Sequence, residues 1–187
     1  RRASSPVVNI VGEHASFHLQ HDAPLTADIE GIARPVSHWV RTSRSAATVA
    51  ADGAEAVAAA RRAPGHVATL ILPADTAWGV AGEVAAALPV EAPPKVEEAA
   101  IDAGERALRA GEHCLLLLGG EALATEEALD WAGAVAARTG AKLMTTTFMR
   151  CMPRGAGRVP ALRLPYVVAQ ALAALKPCRS ILLVGAP

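Results

Sequence analysis

Short β-branched or leucine-rich runs, each closed by glycine or proline, alternate along this chain with segments whose apolar residues fall at helical spacing. That alternation restricts the fold more than any other feature. A strand apolar on both faces must be covered on both, and strands joined through helices run parallel. Val7-Val8-Asn9-Ile10-Val11, closed by Gly12, reads as a buried strand, and a polar stretch follows from Glu13 to about Ile29. Ala46–Ala63 has helical periodicity, with Asp52 as the cap of its Ala54–Arg62 portion and Pro64-Gly65 as its stop. His66–Leu72 is a second apolar strand, ended by Pro73.

The composition changes between Val80 and Glu98, where Gly82, Pro89, Pro93 and Pro94 interrupt any period. Residues 81–98 are therefore expected to link two α/β domains, 1–80 and 99–187. In the second, a helix over Ala99–Ala110 precedes a strand, His113–Leu118, closed by Gly119-Gly120. Thr125 caps a helix that ends at Gly140, with Glu126 and Glu127 in its first turn and Leu129, Ala132, Val135 and Ala136 on its apolar stripe. Lys142–Phe148 reads as a strand, Pro165–Leu175 as a helix and Ser180–Val184 as a final strand with little after it to cover it. The expected fold class is α/β, with parallel sheets flanked by helices and an open, Rossmann-like second domain.

Formal net charge is zero, which argues against nucleic-acid or anionic-membrane surfaces, since these need clustered cations. No apolar run is long enough to span a bilayer. Cys114, Cys151 and Cys178 show no metal-binding spacing, and read as buried thiols in a reducing, cytoplasmic setting. Trp39, Trp78 and Trp131 read as core or interface residues. The first residue is Arg and a strand starts almost at once, so a fragment of a longer protein is expected.

The stretch from Val7 to Ser37 resembles a segment of acetolactate synthase large subunits, members of the thiamine-diphosphate-dependent enzymes. The family's strand ending in Gly-Gln falls on Gly12-Glu13, and its Asp-Ala-Phe-Gln-Glu-like element on Asp22-Ala23-Pro24-Leu25-Thr26. The tail Gly-Ile-x-Arg-Pro-hydrophobic-Ser/Thr falls on Gly31–Ser37 without a gap, and Leu70–Asp75 is similar to Leu-Ile-x-Ile-Pro-Lys-Asp. Gly119-Gly120, Thr139–Met144 and the closing Leu183-Val184-Gly185-Ala186 resemble the family's central domain. The resemblance implies the second half of a pyrimidine-binding (PYR) domain over 1–80 and a truncated central domain over 99–187.

It also implies thiamine diphosphate and Mg²⁺ as cofactors, a 2-oxo acid as substrate, and a homodimer or tetramer whose cofactor lies between subunits. The family's cofactor-activating glutamate lies upstream of this stretch, and its Mg²⁺ motif belongs to a C-terminal domain, so the chain alone is expected to be inactive. Glu13, at a strand end, and Gly12 are candidates to face the cofactor; Pro24 and Leu25 stand at substrate-handling positions. The family's Phe and Gln become Pro24 and Leu25, and its Lys becomes Ala74, which puts true acetolactate synthase activity in question. His14, His18 and His21 occupy the loop instead. His21, beside Asp22, matches a histidine of related decarboxylases and is the candidate proton donor; the alternative is a solvated histidine-rich loop. Asp28 and Glu30 read as helix-end stabilisers. Arg150, Arg154, Arg158 and Arg163 fall where flavin-binding relatives contact their nucleotide, but the loop lacks the family's Gly-Met-x-Gly-like stretch, so FAD is not expected. A non-catalytic nucleotide-binding or purely structural α/β module, using Gly119-Gly120 to receive a phosphate, is the competing reading.

Overall fold

The computed structural model describes residues 1–185 and divides into two compact units, Ala3–Pro93 and Pro94 onward. Ala186, the last residue of the Leu-Val-Gly-Ala element, lies outside the described residues.

The first unit contains β1 (Val7–Glu13), α1 (Ile29–Ala33), β2 (Trp39–Thr42), α2 (Val49–Arg61), β3 (Val67–Pro73) and α3 (Ala74–Trp78). Its three strands form a parallel sheet in the order β1-β3-β2, with Val7 opposite Val67 and Glu13 opposite Pro73. The central strand β3 is buried along nearly its whole length. Ala56 and Ala60 of α2 are fully buried against Ala68 and Leu70, their small side chains letting the helix approach the sheet closely.

Three expectations change here. Strand β1 is an edge strand rather than a buried one: Val8 packs on the core, whereas Val7 and Ile10 are exposed. An apolar run does not state how many neighbours a strand has, and as an outermost strand β1 lacks the cover that β3 receives on both faces. Strand β2 was absent from the sequence reading, because Arg41 and Thr42 make it polar. Asp52 does not cap α2, whose first residue is Val49; it lies a turn inside, buried, and accepts hydrogen bonds from Ser43 Oγ (2.7 Å) and Arg41 Nη1 (2.9 Å). Burial pushes its carboxyl upward, but those bonds, with the Arg41 charge and Thr48, outweigh it and hold the group below the usual aspartate range.

The second unit contains α4 (Glu98–Leu108), β4 (Cys114–Leu118), α5 (Glu126–Thr139), β5 (Lys142–Thr145), β6 (Leu162–Arg163), α6 (Val168–Leu175) and β7 (Ser180–Val184). Its parallel sheet runs β6-β5-β4-β7, so the chain moves outward from β4 on one side and returns on the other. The fully buried β4 packs on Leu123, Leu129 and Ala132. Thr125 Oγ1 accepts the Ala128 amide, and Gly140 closes α5 in the left-handed region at φ 77°. Strand β7 is covered on one face, where Leu182 meets Gly104 of α4; Ile181 and Leu183 on the other face are exposed. Among the thiols only Cys114 is buried, and Cys151 is exposed, because the 146–161 loop carries no strand or helix to cover it. Trp78 and Trp131 are likewise exposed within the chain, so neither is a core residue.

At the amino edge of the first sheet, His38 and His66 stack with ring centroids 4.3 Å apart. His38 Nδ1 accepts the Val67 amide at 3.0 Å. Burial lowers the pKa of His66, and the charges of His38 and Arg62 lower it further. An unfolded chain therefore binds more protons at this site than the folded one, so stability falls as pH drops through the ordinary histidine range. Urea unfolding at pH 7.5 and pH 5.5 is expected to show that loss, and His66→Phe, which preserves a stacking ring, is expected to flatten it.

Candidate functional site

Parallel strands β1 and β3 end level with one another, and their chain continuations leave the sheet side by side: β1 into the loop after Glu13, β3 into α3. Carboxyl ends of parallel strands are where open α/β sheets place ligands. A cavity of about 470 Å³ opens here. Its polar lining includes Glu13, His14 and His18, and its apolar wall includes Phe17, Leu25 and Trp78.

Local bonds shape the loop. Glu13 Oε1 accepts the His14 amide at 2.7 Å, which turns the chain immediately after the strand. Ala15 is buried beneath the turn. Ser16 donates its amide to Asp75 Oδ1 at 2.8 Å and its hydroxyl to Asp75 Oδ2. His14 Nε2 lies 3.2 Å from the Pro24 carbonyl, tying the start of the loop to its far end. The rings of His14, His18 and His21 form a ladder with centroid spacings of 5.5 and 5.6 Å. Asp28 caps α1 through the Gly31 amide, while Glu30 pairs with Arg34 and accepts from Thr42. Those bonds, Arg34 first, hold the Glu30 carboxyl below its ordinary range.

The structure thus brings Gly12, Glu13 and Leu25 to one cavity and leaves His21 outside its lining, one ring further along the ladder. Pro24 contributes a carbonyl rather than a wall. Gly12 occupies ordinary extended backbone with free space where a Cβ would stand, so neither conformation nor crowding requires a glycine there. Phe17 and Trp78 also line the cavity; spacing gives no sign that an aromatic in the loop after β1 and one in α3 will share a wall. Leu25 has a positive φ of 75° and an almost fully exposed side chain (93%).

In the second unit, Gly120 is in the left-handed region (φ 48°), and the place its Cβ would take is occupied by the Gly185 carbonyl. Arg150 pairs with Glu121 at 2.8 Å and Arg158 with Glu126. The turn is thus packed by the chain itself, and the start of α5 is acidic, which disfavours an anion.

No protein-family model matches the chain. Over its full length it superimposes on a thiamine-diphosphate-dependent 4-hydroxybenzoylformate decarboxylase from Rhodococcus jostii RHA1, with a TM-score of 0.74 and 22% identity, covering 36% of that chain. A benzoylformate decarboxylase from Polynucleobacter necessarius matches 78% of this chain and 27% of its own, with a TM-score of 0.62 and 22% identity. The two parallel α/β units have the fold of domains of thiamine-diphosphate-dependent enzymes. The sequence is 43% identical over 189 aligned residues to IlvX of Mycobacterium tuberculosis, a protein described as a putative acetolactate synthase large subunit. The alignment takes in all of this chain and 35% of that relative, so the chain spans about a third of the length of the relative it matches.

A leucine in the left-handed region costs about 1–2 kcal/mol, and an exposed side chain recovers none of it through packing. Leu25→Asn is expected to raise unfolding stability by up to about 1 kcal/mol, measured by urea titration.

Proposed function

We propose that this chain supplies part of a thiamine-diphosphate- and Mg²⁺-dependent enzyme that decarboxylates a 2-oxo acid or joins it to a second carbonyl. The supporting observation is the meeting of a carboxylate, two imidazoles and an apolar wall at the carboxyl edge of a parallel sheet, in an acetolactate synthase-like sequence. On this reading residues 1–80 are the later half of a PYR domain, 81–98 a linker, and 99–187 a central domain without FAD. The whole protein would be a cytoplasmic homodimer or tetramer.

The residues present fit one part of the cofactor and not another. An apolar floor with Glu13, His14 and His18 at its rim suits a flat heteroaromatic ring and a small 2-oxo acid. Among the described residues no three His, Cys, Asp or Glu side chains are placed to hold a metal ion. Gly12 and Glu13 would therefore face the aminopyrimidine, and Mg²⁺ with the diphosphate would be held by other parts of the longer protein. When bound, the cofactor supplies the nucleophilic carbon and the electron sink for loss of carbon dioxide.

This chain's own groups then manage position and protons. His14 Nε2, beside the Pro24 carbonyl, is the nitrogen suited to carry a proton, which fixes the ring and leaves Nδ1 for exchange. His18 also lines the cavity, and it stands between His14 and His21. His14 and His18 are therefore the proton-transferring pair, with His21 an outer member that connects them to solvent. Phe17, Leu25 and Trp78 offer apolar contact to the hydrocarbon part of the substrate.

Without the rest of the protein the chain is expected to show no turnover. The test joins it in frame to the flanking segments of the M. tuberculosis relative and measures carbon dioxide release from a panel of 2-oxo acids with thiamine diphosphate and Mg²⁺. Turnover is expected; a folded, cofactor-loaded chimera inert on every 2-oxo acid would refute the reading. In an active chimera His18→Ala is expected to lower kcat about 100-fold, whereas His21→Ala costs less than about threefold.

A further inference from the structure

The two walls of the cavity come from chain segments 59 residues apart: the loop after β1 and the start of α3. Within the sheet they are held level by the pairing of Glu13 with Pro73. Beyond the sheet edge, the side chain of Asp75 takes both the amide and the hydroxyl of Ser16. Two accepting oxygens of one carboxylate meet two donors of one residue, so the contact fixes orientation as well as distance. Hydrogen bonds from the Ser16 hydroxyl first, and then from its amide, hold the Asp75 carboxyl below its ordinary range, so it is charged at neutral pH.

The clamp has neighbours that matter on both sides. His14 and Ala15 lie between the β1 end and Ser16, and Phe17 and His18 follow directly. On the other side Ala74 precedes Asp75, and Trp78 stands one turn further along α3. With Ser16 released, the Glu13 and Pro24 bonds would still shape the loop locally, but among the described residues no other side-chain bond holds the His14–His18 segment against α3. The contact is solvent-exposed, so its share of global stability is small. Geometry, rather than folding energy, is what it controls.

We infer that Asp75, through Ser16, is a positioning residue that sets His14 and His18 against the Ala74–Trp78 wall; this rests on the cavity being the substrate-facing site proposed above. The resemblance marks Asp75 as the end of the Leu70–Asp75 element, but nothing in the sequence pairs it with Ser16, which lies in a loop whose visible feature is its histidines.

The full chain serves for the test, with Asp75→Ala, Ser16→Ala and the conservative Asp75→Asn and Ser16→Thr. Amide hydrogen exchange reports the Ser16 bond, and the ring proton–carbon resonances of His14 and His18 report their placement. Asp75→Ala is expected to speed Ser16 amide exchange about tenfold and to move both imidazole resonances, while protection of Ala68 and Leu70 in β3 stays at the wild-type level. Ser16→Ala should move the same resonances. Ser16→Thr should return them to wild-type positions, and Asp75→Asn, which keeps one accepting oxygen, should return them part of the way. A folded Asp75→Ala chain with wild-type Ser16 exchange and imidazole resonances overturns the inference. So does an equal loss of protection in β3, which would mark a general structural role. Phenylglyoxylate and pyruvate are then added to the wild-type chain as probes. Imidazole resonances that respond to neither count against the proposed function alone, because the clamp is judged on probe-free data.

Discussion

Parallel strands have no tight hairpin to set their register, so something else must do it. In the first unit that task falls to the burial of β3. Ala68 and Leu70 face Ala56 and Ala60 of α2, Ile71 is buried on the opposite face, and a slip of one residue would exchange the two faces. Both flanking strands take their register from it, Val7 opposite Val67 on one side and Trp39 opposite Ala68 on the other. The pairing ends at Glu13 and Pro73, and the geometry of the cavity follows from that coincidence. Two chain segments leave one sheet edge at the same height, so a loop and a short helix become the opposing walls of one space.

Charge is distributed to match. Beneath the sheet edge, Asp52 is buried and satisfied by Ser43 and Arg41, and Arg41 also reaches Glu55 at 2.6 Å while lying over the Trp39 ring. This network ties β2 to α2 and consumes its charges internally. At the loop the arrangement is reversed: imidazoles stand exposed along the cavity and beyond it, held by backbone carbonyls and a single carboxylate. An internally bonded scaffold carrying a polar, lightly tethered loop is the usual division between elements that give stability and elements that meet ligands.

The parts legible from sequence were those in which local pattern and burial coincide. Strands β3 and β4 are uninterrupted apolar runs and were placed to within a residue or two. Helix α5 announced both ends through Thr125 and Gly140. The misreadings share a cause, which is that the deciding partner lies far away in sequence. Asp52 looks like a cap until Ser43 and Arg41 are brought to it. Strand β2 looks like a loop because Arg41 is polar, although Trp39 and Val40 are good strand formers. Strand β1 has the composition of a central strand and occupies an edge. At the site, Gly12, Glu13 and Leu25 were reachable through a motif, whereas Phe17 and Trp78 become neighbours only through pairing between strands far apart in sequence.

Both units present carboxyl strand ends, yet the two edges differ in what fills them. In the second unit, chain direction reverses about β4, and in an open sheet that is the favoured place for a ligand. There the Gly185 carbonyl occupies the space beside Gly120, and Arg150 and Arg158 are neutralised by Glu121 and Glu126. An incoming phosphate would have to displace a backbone contact and compete with two carboxylates for the same guanidinium groups. In the first unit the corresponding edge leaves a cavity, flanked by the Ser16–Asp75 and His14–Pro24 contacts and by a leucine in a costly backbone conformation. Backbone strain at an exposed side chain, as at Leu25, is a mark that favours a site over a packed surface. That contrast, and not fold class alone, is why the loop after β1 is the place proposed for the chemistry.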